Sequence, residues 1–71
     1  MYSVEEAKEI EKEIVNLCSE LEDNERAVNY VESVQDKSSD IMTSIEDRGE
    51  ATEKQLQALT NMKSGLQKWI R

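Results

Sequence analysis

The chain has 71 residues, with 16 aspartates and glutamates against 9 lysines and arginines, so it carries a formal charge of −7 and has room for one domain. A two-domain enzyme is excluded. Charged residues make up 35% and apolar residues 37%, which suits a thin helical core better than a sheet sandwich, and the absence of Phe and Pro points to an all-α chain.

A domain of this size buries only about 60% of the surface its unfolded chain exposes, so support from a partner or from oligomerisation is expected. The single cysteine, Cys18, has no partner for an intramolecular disulfide, and one thiol without any histidine excludes the usual zinc constellations. No more than two residues from Val, Ile, Leu, Met, Ala, Cys, Trp and Tyr stand together anywhere, so neither a signal-peptide core nor a membrane span can be drawn. The composition leads us to expect a soluble protein of the reducing cytoplasm, without a cofactor or metal and without membrane attachment.

Ser3 followed three residues later by Glu6 reads as a capping box that opens a first helix. Ala7, Ile10, Ile14, Leu17 and Leu21 then alternate spacings of three and four, which gathers them into one stripe, widened by Val4 and Cys18. Glu5 with Lys8 and Glu9 with Lys12 pair on the exposed surface. The polar run Glu22-Asp23-Asn24 ends the helix and supplies a fresh cap, so a second helix is expected from Asp23 or Asn24 through Ala27, Val28, Val31 and Val34.

The segment Asp36–Asp40 is polar throughout, yet Ile41, Met42 and Ile45 resume the same frame, with Ser38 where an apolar residue is due. One continuous helix with a soft middle is the favoured reading. Gly49 suits a left-handed closing residue. Thr52 and Gln55 repeat the capping logic ahead of Leu56, Leu59, Met62, Leu66 and Trp69. Helices over about residues 3–22, 24–47 and 53–70 follow, as a three-helix up-down-up bundle or a long antiparallel hairpin with a docked third helix.

Charge is divided unevenly along these segments. Residues 1–23 carry −6, residues 24–50 carry −4 and residues 51–71 carry +3. The last helix presents Lys54, Lys63, Lys68 and Arg71 beside Trp69 and the amide of Gln55, a set able to meet phosphates and unstacked bases. The same residues also have a purely structural explanation. Cations near a helix C-terminus complement its dipole, Trp69 continues the apolar stripe, and a basic helix can lie against the acidic first one. Gly65 costs about 1 kcal/mol inside a helix relative to Ala, so something is expected to approach its backbone closely, or it is a tolerated weak spot.

Catalysis finds little support. Paired-carboxylate chemistry needs a concave, partly dry site, whereas Glu5, Glu6, Glu9, Glu11 and Glu13 read as a solvated face. Cys18 lies beside the apolar stripe with no histidine to activate it. Two glycines are too few for a phosphate-binding loop or a dinucleotide fingerprint, and Asp36 and Asp40 do not fit a calcium-binding loop. The chain is therefore expected to act by binding.

The run Ala51-Thr52-Glu53-Lys54-Gln55-Leu56-Gln57-Ala58-Leu59, continuing through Asn61-Met62 and Gly65-Leu66 to Lys68-Trp69-Ile70, resembles a motif of the UvsW family of T-even-type bacteriophages. That family supplies recombination and repair helicases, and a small helical piece, fused after the helicase or encoded beside it, looks like this chain. The resemblance covers about the last 21 residues. No nucleotide-binding motif is present, so motor activity does not carry over. What the resemblance implies is an accessory module of the infected cell, working with a UvsW-type helicase in recombination, replication or repair. Lys54, Gln55, Lys63, Gly65, Lys68, Trp69 and Arg71 would be its contacts to helicase or DNA, any DNA binding being weak and salt-dependent. Two other readings stay open: an acidic phage inhibitor occupying the nucleic-acid surface of a host protein, and a helical oligomerisation module.

Overall fold

In the computed structural model, which describes residues 2–70, the chain forms three α-helices: α1 over Val4–Glu20, α2 over Val28–Arg48 and α3 over Glu53–Ile70. Ser3 caps α1, its Oγ accepting the Glu6 amide at 3.2 Å. Glu5 and Glu6 place negative charge in the first turn, where the helix dipole favours it.

The link between α1 and α2 departs from the sequence expectation. α1 stops at Glu20 rather than residue 22, and α2 starts at Val28 rather than Asp23 or Asn24. Asn24 does cap, but it caps a tight turn of its own: its Oδ1 accepts the amides of Arg26 at 3.0 Å and Ala27 at 3.3 Å. Its backbone carbonyl also accepts the Ala27 amide, at 3.0 Å. Helical bonding of α2 begins only from the Ala27 carbonyl, which accepts the Val31 amide at 2.8 Å. Leu21 and Ala27, both buried, hold the two ends of the link against the core.

α2 runs unbroken through Asp36–Asp40. Its buried line is Val31, Val34, Ser38, Met42 and Ile45. Ser38 is only 6% exposed, and its hydroxyl donates to the Gln35 carbonyl at 3.2 Å. A hydroxyl satisfied within its own helix can occupy a core position without an orphaned donor. Gly49 closes α2 at φ 79°, its amide donating to the Ile45 carbonyl at 2.9 Å. Nothing lies within 4 Å of a Cβ built there, so the left-handed backbone, not space, calls for glycine.

α3 opens on a complete capping box. The Gln55 amide donates to Thr52 Oγ1 at 3.1 Å and the Thr52 amide to Gln55 Oε1 at 2.9 Å. Just before it, Ala51 pairs with Tyr2 through two backbone hydrogen bonds of 2.8 and 2.9 Å. That pairing sets the starts of α1 and α3 side by side, so these two helices run parallel while α2 runs antiparallel to both.

Ile14, Ile45, Leu59 and Leu66 are the largest fully buried side chains and bring all three helices to one core. Each contributes about 1.5–3 kcal/mol of burial. α1 packs most extensively on α3, less on α2, and α2 meets α3 least. The result is an all-α three-helix bundle, 36 Å long and 18 by 16 Å across. Among the described residues no helix is long and apolar enough to cross a membrane.

Candidate interaction surface

The apolar line Leu59–Leu66 turned to the core decides which α3 side chains remain available. Of the residues singled out from the sequence, Lys63, Gln55, Gly65 and Trp69 make contacts within the chain. Lys63 forms an ion pair with Glu13 of α1, 2.5 Å apart, which ties the basic helix to the acidic one. Both side chains are partly exposed, so the pair contributes at most about 1 kcal/mol. Gln55 is half-buried; beyond its capping bonds, its Nε2 donates to Ser44 Oγ of α2 at 3.4 Å.

Gly65 is approached from inside the molecule. A Cβ built on it would lie 2.9 Å from Tyr30 Cζ and closer still to the Tyr30 hydroxyl. Helix–helix packing within the chain therefore accounts for the glycine. Trp69 sits beside that tyrosine, ring centroids 6.3 Å apart and tilted by 38°, and keeps 38% of its surface exposed. Lys54 and Lys68 are exposed. Arg71 lies outside the described residues.

The exposed cations do not stand alone. Lys54, Gln57, Asn61, Ser64 and Lys68 recur at helical spacing and are all exposed, forming one outward stripe about 21 Å long at 1.5 Å per residue. Glu53, in the first turn, is the only carboxylate of α3. The outward faces of the other helices carry many: Glu5, Glu9, Glu13 and Glu20 on α1, and Glu32, Asp36, Asp40 and Asp47 on α2, all exposed. An anion approaching this molecule meets its weakest repulsion along α3.

On α2, Tyr30, Lys37 and Arg48 belong to no motif that marks them in the sequence. Tyr30, Lys37 and Ser44 stand seven residues apart, and Tyr30 and Ser44 both touch α3. Lys37 thus lies on the line of α2 that faces α3, with Arg48 one turn beyond Ser44; both are exposed. The seven-residue spacing was available in the sequence, but which side of α2 turns toward α3 was not.

Elsewhere, Cys18 is a buried free thiol whose desolvation pushes its pKa up, the opposite of what activates a nucleophile. It borders an open groove of about 300 Å³ between α1 and α2, lined also by Ser19, Glu22, Val28 and Glu32. Among the described residues no group of three or more His, Cys, Asp and Glu is placed to hold a metal ion. Set against protein-family models, curated proteins and solved structures, the chain matches none.

Proposed function

We propose that this chain is a non-catalytic accessory module of the infected bacterial cytoplasm. It works with a UvsW-type phage DNA helicase in recombination, replication or repair, and meets the helicase or its DNA through the outward side of α3. The observation that carries this reading is the stripe Lys54, Gln57, Asn61, Ser64 and Lys68, exposed and free of carboxylates on the one helix where the resemblance lies, in a chain of net charge −7. Lys54, Lys68 and Trp69 are the contacts retained from the sequence reading. Lys63, Gln55 and Gly65 support them by fixing α3 against α1 and α2.

The remaining charge works against extended duplex DNA, because the acidic faces of α1 and α2 repel a polyanion. Direct DNA binding by the isolated chain is therefore weak, and falls as salt rises and counterion release is lost. Fluorescence anisotropy with single-stranded, duplex and branched DNA, with and without a UvsW-type helicase, tests the proposal. Formation of a complex with the helicase, lost in Lys54→Glu/Lys68→Glu, supports it. An absence of binding to both helicase and DNA overturns it.

A further inference from the structure

We infer that this chain takes a second copy of itself as partner by exchanging α1. The link over residues 21–27 straightens, α1 and α2 join in one helix, and α1 of each copy packs on the α2–α3 hairpin of the other. The two connections of the bundle differ in what stops their helices. Between α2 and α3, Gly49 takes a left-handed φ of 79° and Thr52 with Gln55 forms a capping box, so that corner is fixed.

The corner between α1 and α2 is built differently. Residues 21–27, Leu-Glu-Asp-Asn-Glu-Arg-Ala, hold no Gly or Pro, and none has a positive φ. Their backbone bonds already run as in a tightened helix, from the Glu22 amide to the Ser19 carbonyl, from Asn24 to Leu21 and from Ala27 to Asn24. α1 ends without a cation in its last turn and with Glu20, Glu22 and Asp23 at the negative end of its dipole. α2 begins on Ala27, which supplies no side-chain cap, and has no acid in its first turn. Joining the helices removes both of these ends. Against that stands the Asn24 side chain, bound to the amides of Arg26 and Ala27.

The apolar period runs straight through the bend. Ala7, Ile10, Ile14, Leu17 and Leu21 alternate steps of three and four along α1. The same alternation, continued without a skip, lands on Asn24 and Val28, then on Val31, Gln35, Ser38, Met42 and Ile45. A chain that always bends at residues 21–27 has no need of one register on both sides, whereas a continuous helix does. In the closed form Val28 falls on this seam yet is 40% exposed, beside a groove it lines with Cys18, Leu21 and Val31.

Fused, Val4–Arg48 makes one helix about 67 Å long, against 36 Å for the closed bundle. Such a helix cannot fold back on itself, so the faces of α1 and α2 that the bend brought together are covered by an antiparallel second copy. Keeping the neighbours of that groove, now across copies, sets the twofold axis midway between Cys18 and Val31, at Asn24 and Glu25. One polar Asn in an apolar seam is a device that fixes register and pairing between helices. The core is rebuilt from the same contacts, and the pairings of Tyr2 with Ala51 and Glu13 with Lys63 pass from within one chain to between two. Glu20, Glu22, Asp23 and Glu25 of both copies gather near the axis against Arg26 of each, so salt, which screens them, favours the exchanged dimer.

The test uses the full chain and asks whether Glu13 and Lys63 meet within or between copies. Sedimentation of the wild-type chain at about 1 mM in high salt should show a dimer. In Cys18→Ala/Glu13→Cys/Lys63→Cys, a short bismaleimide added to the dimer fraction should join two chains on a denaturing gel, since exchange sets each thiol pair across copies. Asn24→Leu, which removes the side-chain bonds of the turn and makes the seam apolar there, should raise the dimerisation constant at least about tenfold. Two glycines inserted between Asp23 and Asn24 leave the Asn24 turn intact but break the seam, and should lower it. A wild-type chain that stays monomeric, a dimer whose bismaleimide links remain within single chains, or a dimerisation constant unmoved by the two link variants overturns the inference. No helicase or DNA enters the experiment, so failure here is distinguishable from failure of the accessory role.

Discussion

Replacing Gly65 by alanine sets two effects of known sign against each other. Alanine is worth about 1 kcal/mol more than glycine inside a helix, because it restricts the unfolded backbone. Here, however, the new methyl would stand 2.9 Å from Tyr30 Cζ, where carbon atoms ordinarily approach to about 3.5–4.0 Å. The ring must retreat by up to about 1 Å at Cζ and further at its hydroxyl, an overpacking cost of about 1–3 kcal/mol. The same retreat weakens the Tyr30–Trp69 contact, an aromatic pair worth about 0.5–1.5 kcal/mol. The penalty exceeds the gain, so Gly65→Ala should destabilise the chain by about 1–2 kcal/mol, lowering Tm by roughly 4–8 °C per kcal/mol. In a Tyr30→Ala background the obstruction is gone and the same substitution should stabilise by about 1 kcal/mol. Urea denaturation followed by circular dichroism measures all four corners of this cycle. A stabilising Gly65→Ala of equal size in both backgrounds would refute the reasoning, since the two sites would then be uncoupled.

Ser38→Ala should raise stability by about 0.5 kcal/mol, because it improves helix propensity at a buried position and removes a hydroxyl whose partner, the Gln35 carbonyl, keeps other donors within reach; a loss in urea denaturation would contradict this. Thr52→Ala should cost about 1 kcal/mol and speed hydrogen exchange at the Gln55 amide, whose acceptor it removes. Cys18 gives a pH dependence whose sign follows from burial: the folded thiol holds its proton to higher pH than the unfolded one. The unfolded chain is therefore the first to ionise, so stability is full below the ordinary thiol pKa of 9.0 and declines above it. Cys18→Ala should lack that part of the alkaline decline when the two proteins are compared across the same range.

The helices were legible where local chemistry and hydrophobic period agreed. α3 occupies Glu53–Ile70, the range its capping box and apolar stripe marked, and Gly49 closes α2 as a left-handed residue should. The continuity of α2 followed from the frame shared by Val34, Ser38 and Ile41, since a serine that bonds its own helix can stand in for an apolar residue. The α1–α2 link was misplaced because Asn24 is equally suited to cap a helix or a tight turn, and burial of Leu21 and Ala27, a tertiary effect, selects the turn. For the candidate surface, residue types were readable but engagement was not. Nothing along the chain pairs Lys63 with Glu13, seats Tyr30 over Gly65 or joins Tyr2 to Ala51, because each contact links different elements. Those contacts decide which cations of α3 stay exposed.

In the proposed function a particular side of α3, rather than the net charge of the chain, makes contact with the helicase. Two double variants of identical charge change separate these possibilities: Lys54→Glu/Lys68→Glu on α3 and Lys8→Glu/Lys12→Glu on α1, all four lysines being exposed. Isothermal titration of each against a UvsW-type helicase at one ionic strength is the direct measurement. The α3 pair is expected to abolish binding while the α1 pair changes it by less than about threefold, as distant surface charges do when screened. Equal losses in the two variants, or a loss confined to the α1 pair, would contradict it.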